Sequence, residues 1–331
     1  MKDWSIMSDK MILAANNNDI GSKVDSSSNC TRNAGGHNKG VNINGKDAIM
    51  TEVSVMGIIN VNEESFYAAS RCKGVDSFEE RMNSMFVAGA DIIDIGACST
   101  KPGSTPVSEE KEWENLREIL KVFRRSGFVG DGKTSFMGGL KISIDTFRAE
   151  IVRRVYDEIG PFIVNDISAG EDDINMLKRV GELKLPYIAM HKRGTPDTMQ
   201  SLCNYPDGVV NEVINYFNSF SDKAKFYNIS SYMIDPGFGF AKTVAQNYEL
   251  LNGLHRIISE VEGHSGAYRP LLAGLSRKSM IWRPLDITPE EALPATVALN
   301  LQCLLNGASV IRVHDVKEGV QTRILYNLIV G

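Results

Sequence analysis

The chain has 331 residues, with 36 basic against 41 acidic side chains and a formal net charge of −5. That balance argues against a general nucleic-acid binder while leaving room for a local basic pocket. Hydrophobic and charged fractions of 43% and 23% describe an ordinary globular chain long enough to bury a substantial core. No apolar run approaches the roughly 20 residues that cross a bilayer, and the opening MKDWSIMSDK lacks the apolar core of a secretory signal. A cytoplasmic protein with no membrane partner is expected. Cys30, Cys72, Cys98, Cys203 and Cys303 are scattered without a CxxC pair, so packing thiols are expected rather than a zinc site.

Residues 1–48 are rich in Asn, Gly and Ser and have no sustained period. Such a segment buries too little surface to offset its ordering entropy, and it is expected to be a flexible N-terminal extension. The remainder, 49–331, alternates short apolar stretches with longer amphipathic ones. Strands are predicted at 53–61, 91–97, 141–146, 162–168, 187–192, 232–237, 271–277 and 310–316. Between them, segments such as SFEERMNSMFVAGA, SEEKEWENLREILKVFRRSG, GVVNEVINYFNSFSDKAKFYN and PATVALNLQCLLNGA carry apolar residues at helical steps. Near-continuous apolar strands imply a sheet covered on both faces, hence parallel, and the alternation implies βαβ crossovers. Eight such units predict a (β/α)8 TIM barrel. An open doubly wound sheet would call for a Gly-rich fingerprint after the first strand, and GIINVN is not one.

In a TIM barrel the carboxyl ends of the strands converge on one face. Here they deliver Asn60, then Ser99–Lys101, Asp145, Asn165 with Asp166, Met190 with His191, Asp235, then Ser276–Ser279, and finally Arg312, His314 and Asp315. One polar residue at a strand end is turn chemistry; a polar end on every strand is a shared polar floor. Arg277, Lys278, Arg312 and His314 come from the last two strands, where this fold often binds phosphate. Asp145, Asn165 and Asp235 offer acceptors and an amide to a neutral heterocycle rich in N–H donors. GFGFAKT lacks the glycine before Lys-Thr of a Walker-type loop. HKRGTPDTMQ reads as a turn followed by a helix start, and His255 and His264 read as solvated.

The stretches GIINVNEESF, GADIIDIGACSTKPGS, ISIDT, IVNDISAG, AMHKRGTPDTMQ, MIDPGFGFAKT, AGLSRKSMI and PATVALNLQCLLNGASVIRVHDV, taken in order over about residues 53–330, together resemble dihydropteroate synthase. The resemblance implies condensation of p-aminobenzoate with 6-hydroxymethyl-7,8-dihydropterin diphosphate, with release of diphosphate. It implies pterin contacts at Asp145, Asn165, Asp235 and Lys278, with Met190 lining that pocket. It implies diphosphate contacts at Asn60, Arg312 and His314, with Asn60 beside Mg²⁺. Ser279 would meet the aminobenzoate carboxylate, and Phe66, Thr100, Pro102 and Phe240 would wall that substrate. The cation of a mobile loop, Lys101, would act on the leaving group. Sulfonamides are the expected inhibitors and a homodimer is the expected assembly.

Two loops depart from the family's usual wording. NVNEESF stands where N-V-T-P-D-S-F is usual, and CSTKPG where E-S-T-R-P-G is usual. Lys101 keeps the charge of an arginine but not its bidentate fork. An ion pair between Glu64 and Lys101 across the closed loops is expected, together with altered sulfonamide sensitivity. Two rival functions share parts of the pattern. A pterin-binding methyltransferase has the barrel and the Asp/Asn contacts but should lack SRKS with RVHDV. A non-catalytic pterin-binding protein would have no use for a diphosphate site.

Overall fold

The computed structural model describes residues 53–61, 74–98, 107–125, 135–136, 139–195 and 197–331; the expected extension, 1–48, lies outside them. In chain order the strands are β1 (Ser54–Asn60), β2 (Ile92–Gly96), β3 (Ser135–Phe136), β4 (Leu140–Asp145), β5 (Ile163–Asp166), β6 (Tyr187–Met190), β7 (Tyr232–Asp235), β8 (Leu272–Ala273) and β9 (Val310–Val313). All but β3 run parallel to their neighbours, in the order β7-β6-β5-β4-β2-β1-β9-β8. The ends of that order meet at one bridge, Ile234 against Leu271, where the Ile234 amide donates to the Pro270 carbonyl at 3.0 Å. Eight parallel strands thus form the expected (β/α)8 barrel.

Helices follow the strands as crossovers. They are α1 (Val75–Val87), α2 (Glu109–Arg125), α3 (Ala149–Ile159), α4 (Met176–Leu183), α5 (Val209–Phe226), α6 (Val244–Asn252), α7 (Leu254–Ser265), α8 (Ser279–Leu285), α9 (Leu293–Leu305) and α10 (Val316–Val330). Each packs through a stripe that its sequence period dictates. In α1, Phe78, Met82 and Met85 are buried at helical spacing. The N-terminus of α6 is fixed by a capping box, in which the Thr243 side chain and the Gln246 side chain each satisfy the other's backbone amide. Among the described residues no helix is long and apolar enough to cross a membrane.

The period of two along each strand divides the core into two layers. Val55, Ile59, Ile93, Ile95, Ile142, Ile144, Val164 and Ala189 point outward into the shell beneath the helices. Met56, Ile92, Ile163, Ile188, Leu272 and Val310 point inward and fill one end of the barrel. Residues two or four further along the inward phase reach the other end.

Several predicted strands are longer than the observed ones. The 271–277 stretch forms a strand only over Leu272–Ala273, with Leu271 as a single bridge, because the chain soon turns and Arg277 takes a left-handed φ of 54° that no strand admits. Residues 135–136, within a stretch without a predicted element, form β3 antiparallel to β4. His255 and His264 are exposed on α7, as expected, and the HKRGTPDTMQ turn ends in a short 3₁₀ turn, Met199–Ser201.

Candidate active site

Strand register brings polar residues together that are far apart in the chain. Asn60 pairs with Gly96, Gly96 with Asp145, and Asp145 with Asn165 along one row through β1, β2, β4 and β5. The row works because its second member has no side chain. A Cβ on Gly96 would lie 3.2 Å from Asn60 Oδ1 and 3.7 Å from Asp145 Cβ. Gly274, just beyond β8, leaves a similar gap, since a Cβ there would lie 3.8 Å from Asp235 Oδ2 and 3.9 Å from Arg312 Cβ. Two glycines in the inward phase keep the mouth of the barrel open while carboxylates, an amide and a guanidinium line it.

The centre of the site is Arg312. Its Nε donates to Asp94 Oδ2 at 2.7 Å and its Nη2 to Asp145 Oδ2 at 3.0 Å. Asp94 is completely buried and also accepts from Ser143 Oγ at 2.7 Å and from Asn165 Nδ2 at 3.0 Å. One carboxylate therefore orients both Arg312 and Asn165. The strand-end reading of the sequence missed it, because Asp94 sits in the middle of DIIDIGA. The signal was available in the inward phase: Asp94 lies two residues after Ile92, which faces the barrel interior. Burial pushes the Asp145 carboxyl up to about 7, opposed by Arg312 and reinforced by Asp94. Burial works against the charge of Arg312, but Asp94 and Asp145 outweigh it and raise its pKa further.

Across the mouth stand Asp235 and Lys278. Asp235 closes β7 and accepts from the Gly237 amide at 2.8 Å. Burial raises its pKa while Lys278 lowers it. Lys278 donates to the Phe238 carbonyl at 2.7 Å and sits 5.0 Å over the Phe240 ring. Burial lowers its pKa to about 8, with Asp235 opposing. Met190 ends β6 in register with Asp235 and is buried. Ser279 is the first residue of α8, with Lys278 as its N-cap.

His314 follows β9 in the inward phase. Its Nδ1 lies 3.0 Å from Ser276 Oγ, which also accepts from the His314 amide at 3.3 Å. We assign the hydroxyl hydrogen to Nδ1, which leaves the ring proton on Nε2. Burial, then Arg312, Arg277, Lys278 and Arg81, press the imidazole pKa down to about 3. His314 is therefore a neutral donor among the cations grouped with it.

Two further expectations are corrected. Arg277 does not join the floor of the site: its fork is bound to Asp315 at 2.8 and 3.0 Å. His191 is completely buried beside Lys242, whose Nζ lies 3.0 Å from its Nδ1, because the inward phase of β6 ends with Met190. Phe66, Thr100, Lys101, Pro102 and the Glu64 of the expected ion pair lie outside the described residues.

The pterin binding enzyme family model matches residues 56–314. The dihydropteroate synthase of Synechocystis is 36% identical over 270 residues, covering 81% of this chain and 86% of that protein. The mitochondrial folate synthesis bifunctional protein of Arabidopsis thaliana is 38% identical over 273 residues, covering 80% of this chain. The chain spans about half the length of that bifunctional relative, 47%. Among solved structures, Yersinia pestis dihydropteroate synthase with a sulfonamide drug complex superposes with a TM-score of 0.73 at 29% identity, over 88% of this chain and 98% of that one. Fold, barrel mouth and relatives agree, and the chain belongs to the pterin binding enzyme family, among its dihydropteroate synthases.

Proposed function

We propose that the protein joins p-aminobenzoate to 6-hydroxymethyl-7,8-dihydropterin diphosphate, forming 7,8-dihydropteroate and diphosphate. One juxtaposition carries the reading. Acceptors suited to the N–H edge of a neutral heterocycle (Asp145, Asn165, Asp235) share a mouth with donors suited to a leaving anion (Arg312, Lys278, His314). Arg312 is the hinge between the two sets.

In this reading the pterin lies among Asp145, Asn165, Met190, Asp235 and Lys278, and the carboxylates accept its ring N–H groups. The bond between the methylene carbon and the diphosphate oxygen breaks, and its electron pair leaves with the diphosphate. In this reading Arg312 and the Nε2–H of His314 are the donors that meet that negative charge, and groups fixed in advance cost little reorganisation during the reaction. The methylene cation is stabilised by its own ring and by Asp145. The aniline nitrogen then attacks the carbon, the new C–N bond forms, and the surplus proton passes to diphosphate or water. Its carboxylate is held at Ser279 and Lys278, and its ring is walled by Phe240, with Phe66, Thr100, Lys101 and Pro102 as the expected lid.

Mg²⁺ fits beside Asn60, whose amide oxygen projects over the gap that Gly96 leaves. An ion of this kind usually draws most of its ligands from phosphate and water. When bound it neutralises charge on the departing diphosphate. The sulfonamide carried by the Yersinia relative supports sulfonamides as inhibitors, with sensitivity altered by the unusual wording at Asn62–Glu64, Cys98 and Lys101. A homodimer is supported by an exposed apolar stripe on α10, where Leu328 and Ile329 are 75% and 56% exposed.

The deciding experiment measures diphosphate release by purified protein with Mg²⁺ and pterin diphosphate. Release that depends on p-aminobenzoate is expected. Tight pterin diphosphate binding without aminobenzoate-dependent release would identify a binding protein instead.

A further inference from the structure

Strands β8 and β9 lead into the Lys278, Ser279, Arg312 and His314 part of the site, yet β8 has only two residues. Its backbone ladder to β9 ends with Leu272 against Val310 and Ala273 against Ile311, an offset of 38 residues. The groups that matter lie beyond it: Lys278 and Ser279 on one side, Arg312 and His314 on the other. Past that register the separation of these two loops needs another source of rigidity.

The same offset continues in side chains. A Cβ on Gly274 would lie 3.9 Å from Arg312 Cβ. Ser276 bonds His314 at both Nδ1 and the backbone amide, 38 positions on. Arg277 grips Asp315, again 38 positions on, through Nε at 2.8 Å and Nη2 at 3.0 Å. The remaining arm of the fork, Nη1, donates to the Pro289 carbonyl at 2.8 Å and to the Glu290 carbonyl at 2.7 Å. The Arg277 amide donates to Thr296 Oγ1 at 3.2 Å. Arg277 is only 3% exposed and holds a left-handed backbone at φ 54°. A side chain with a Cβ enters that region at a cost, and persists there when its surroundings hold it. Here five hydrogen bonds from one residue do so. The turn it enforces points Lys278 across the mouth and starts α8 at Ser279.

We propose that Arg277 and Asp315 form a positioning clamp. It extends the β8–β9 pairing past the end of the backbone ladder and sets where Lys278 and Ser279 stand relative to Arg312 and His314. Neither residue touches substrate. The inference rests on reading those four residues as the phosphate and carboxylate contacts.

The test compares wild type with Arg277→Lys, Asp315→Asn and the double variant. Lysine keeps the charge but not the planar fork, and asparagine keeps the shape but not the charge. Three quantities are read: kcat and KM for each substrate, the Kd of inorganic diphosphate with Mg²⁺, and the melting temperature. Each single change is expected to lower kcat about tenfold or more and to weaken diphosphate about tenfold. The double variant is expected to be no worse than the poorer single, because two partners in one interaction do not lose it twice. Unchanged kcat and diphosphate Kd with only a lower melting temperature would reduce the pair to a structural bond and overturn the proposal, as would losses that multiply. If the Arg277 variants do not fold, Ser276→Ala removes one rung by one hydroxyl, and the same reductions are expected there. Should wild type bind diphosphate but turn nothing over, the functional reading fails while the clamp is still judged by diphosphate affinity.

Discussion

Asp94 offers the sharpest check on how the site is built. It has no exposure to solvent, and its Oδ2 takes Arg312 Nε at 2.7 Å, Arg312 Nη2 at 2.6 Å and Asn165 Nδ2 at 3.0 Å. Asp94→Ala leaves a buried guanidinium with Asp145 as its remaining carboxylate and strips a partner from both Asn165 and Ser143. Breaking a buried pair in this way costs roughly 3–5 kcal/mol. Asp94→Asn keeps the shape and an acceptor oxygen but not the charge. Its loss is set by weakened charge-assisted bonds, each worth about 1.5–3 kcal/mol, partly offset by Asp145, for a net of about 2–3 kcal/mol. Denaturant titration reads these values directly. A loosened Arg312 that forfeits about 2 kcal/mol in the transition state lowers kcat roughly 30-fold, which a diphosphate-release assay detects. The charge of Asp94 also helps raise the Asp145 pKa, so the acid limb of the pH profile should move to lower pH in Asp94→Asn. A stability loss under about 1 kcal/mol with an unmoved acid limb would refute the role assigned to this carboxylate, given what such burial normally costs.

Three other outcomes follow from the same geometry. The profile of kcat/KM for pterin diphosphate should be bell-shaped. It rises as Asp145, raised by burial to about 7, loses its proton, and falls as Lys278, lowered by burial to about 8, loses its own. Asp145→Asn should remove the acid limb, and a flat profile in wild type would count against both assignments. Gly96→Ala places a methyl 3.2 Å from Asn60 Oδ1, a contact tight enough to push the amide aside. Calorimetry should show Mg²⁺-diphosphate binding about tenfold weaker, and the melting temperature should fall by a few degrees, since an overpacked methyl typically costs about 1–3 kcal/mol of stability. Leu325→Glu with Leu328→Glu charges the exposed face of α10 and, on the proposed assembly, should halve the mass that light scattering reads for wild type. Identical masses for the two proteins would argue against that face as the interface.

Much of this was legible in the sequence. Alternating apolar and amphipathic segments gave the eight parallel strands, and strand ends from Asn60 to His314 marked the mouth. Other features were not. Asp94 lies inside an apolar strand and gains meaning only once the inward phase of β2 is known. Arg277 and Lys278 are adjacent and both cationic, yet one is consumed by Asp315 while the other faces Asp235. His191 follows Met190 directly and is turned into the shell beside Lys242.

Local chemistry is written in the chain because periodicity, turn residues and apolar content act over a few residues. That is enough to dictate strands, helices and the polarity of each strand's end. Which carboxylate holds which cation is set by barrel stagger and by glycine gaps such as Gly96, which bring together residues far apart in the chain, 218 positions in the Arg312–Asp94 pair. Those pairings exist only after closure, because the free energy of a buried charge depends on neighbours that no local stretch contains.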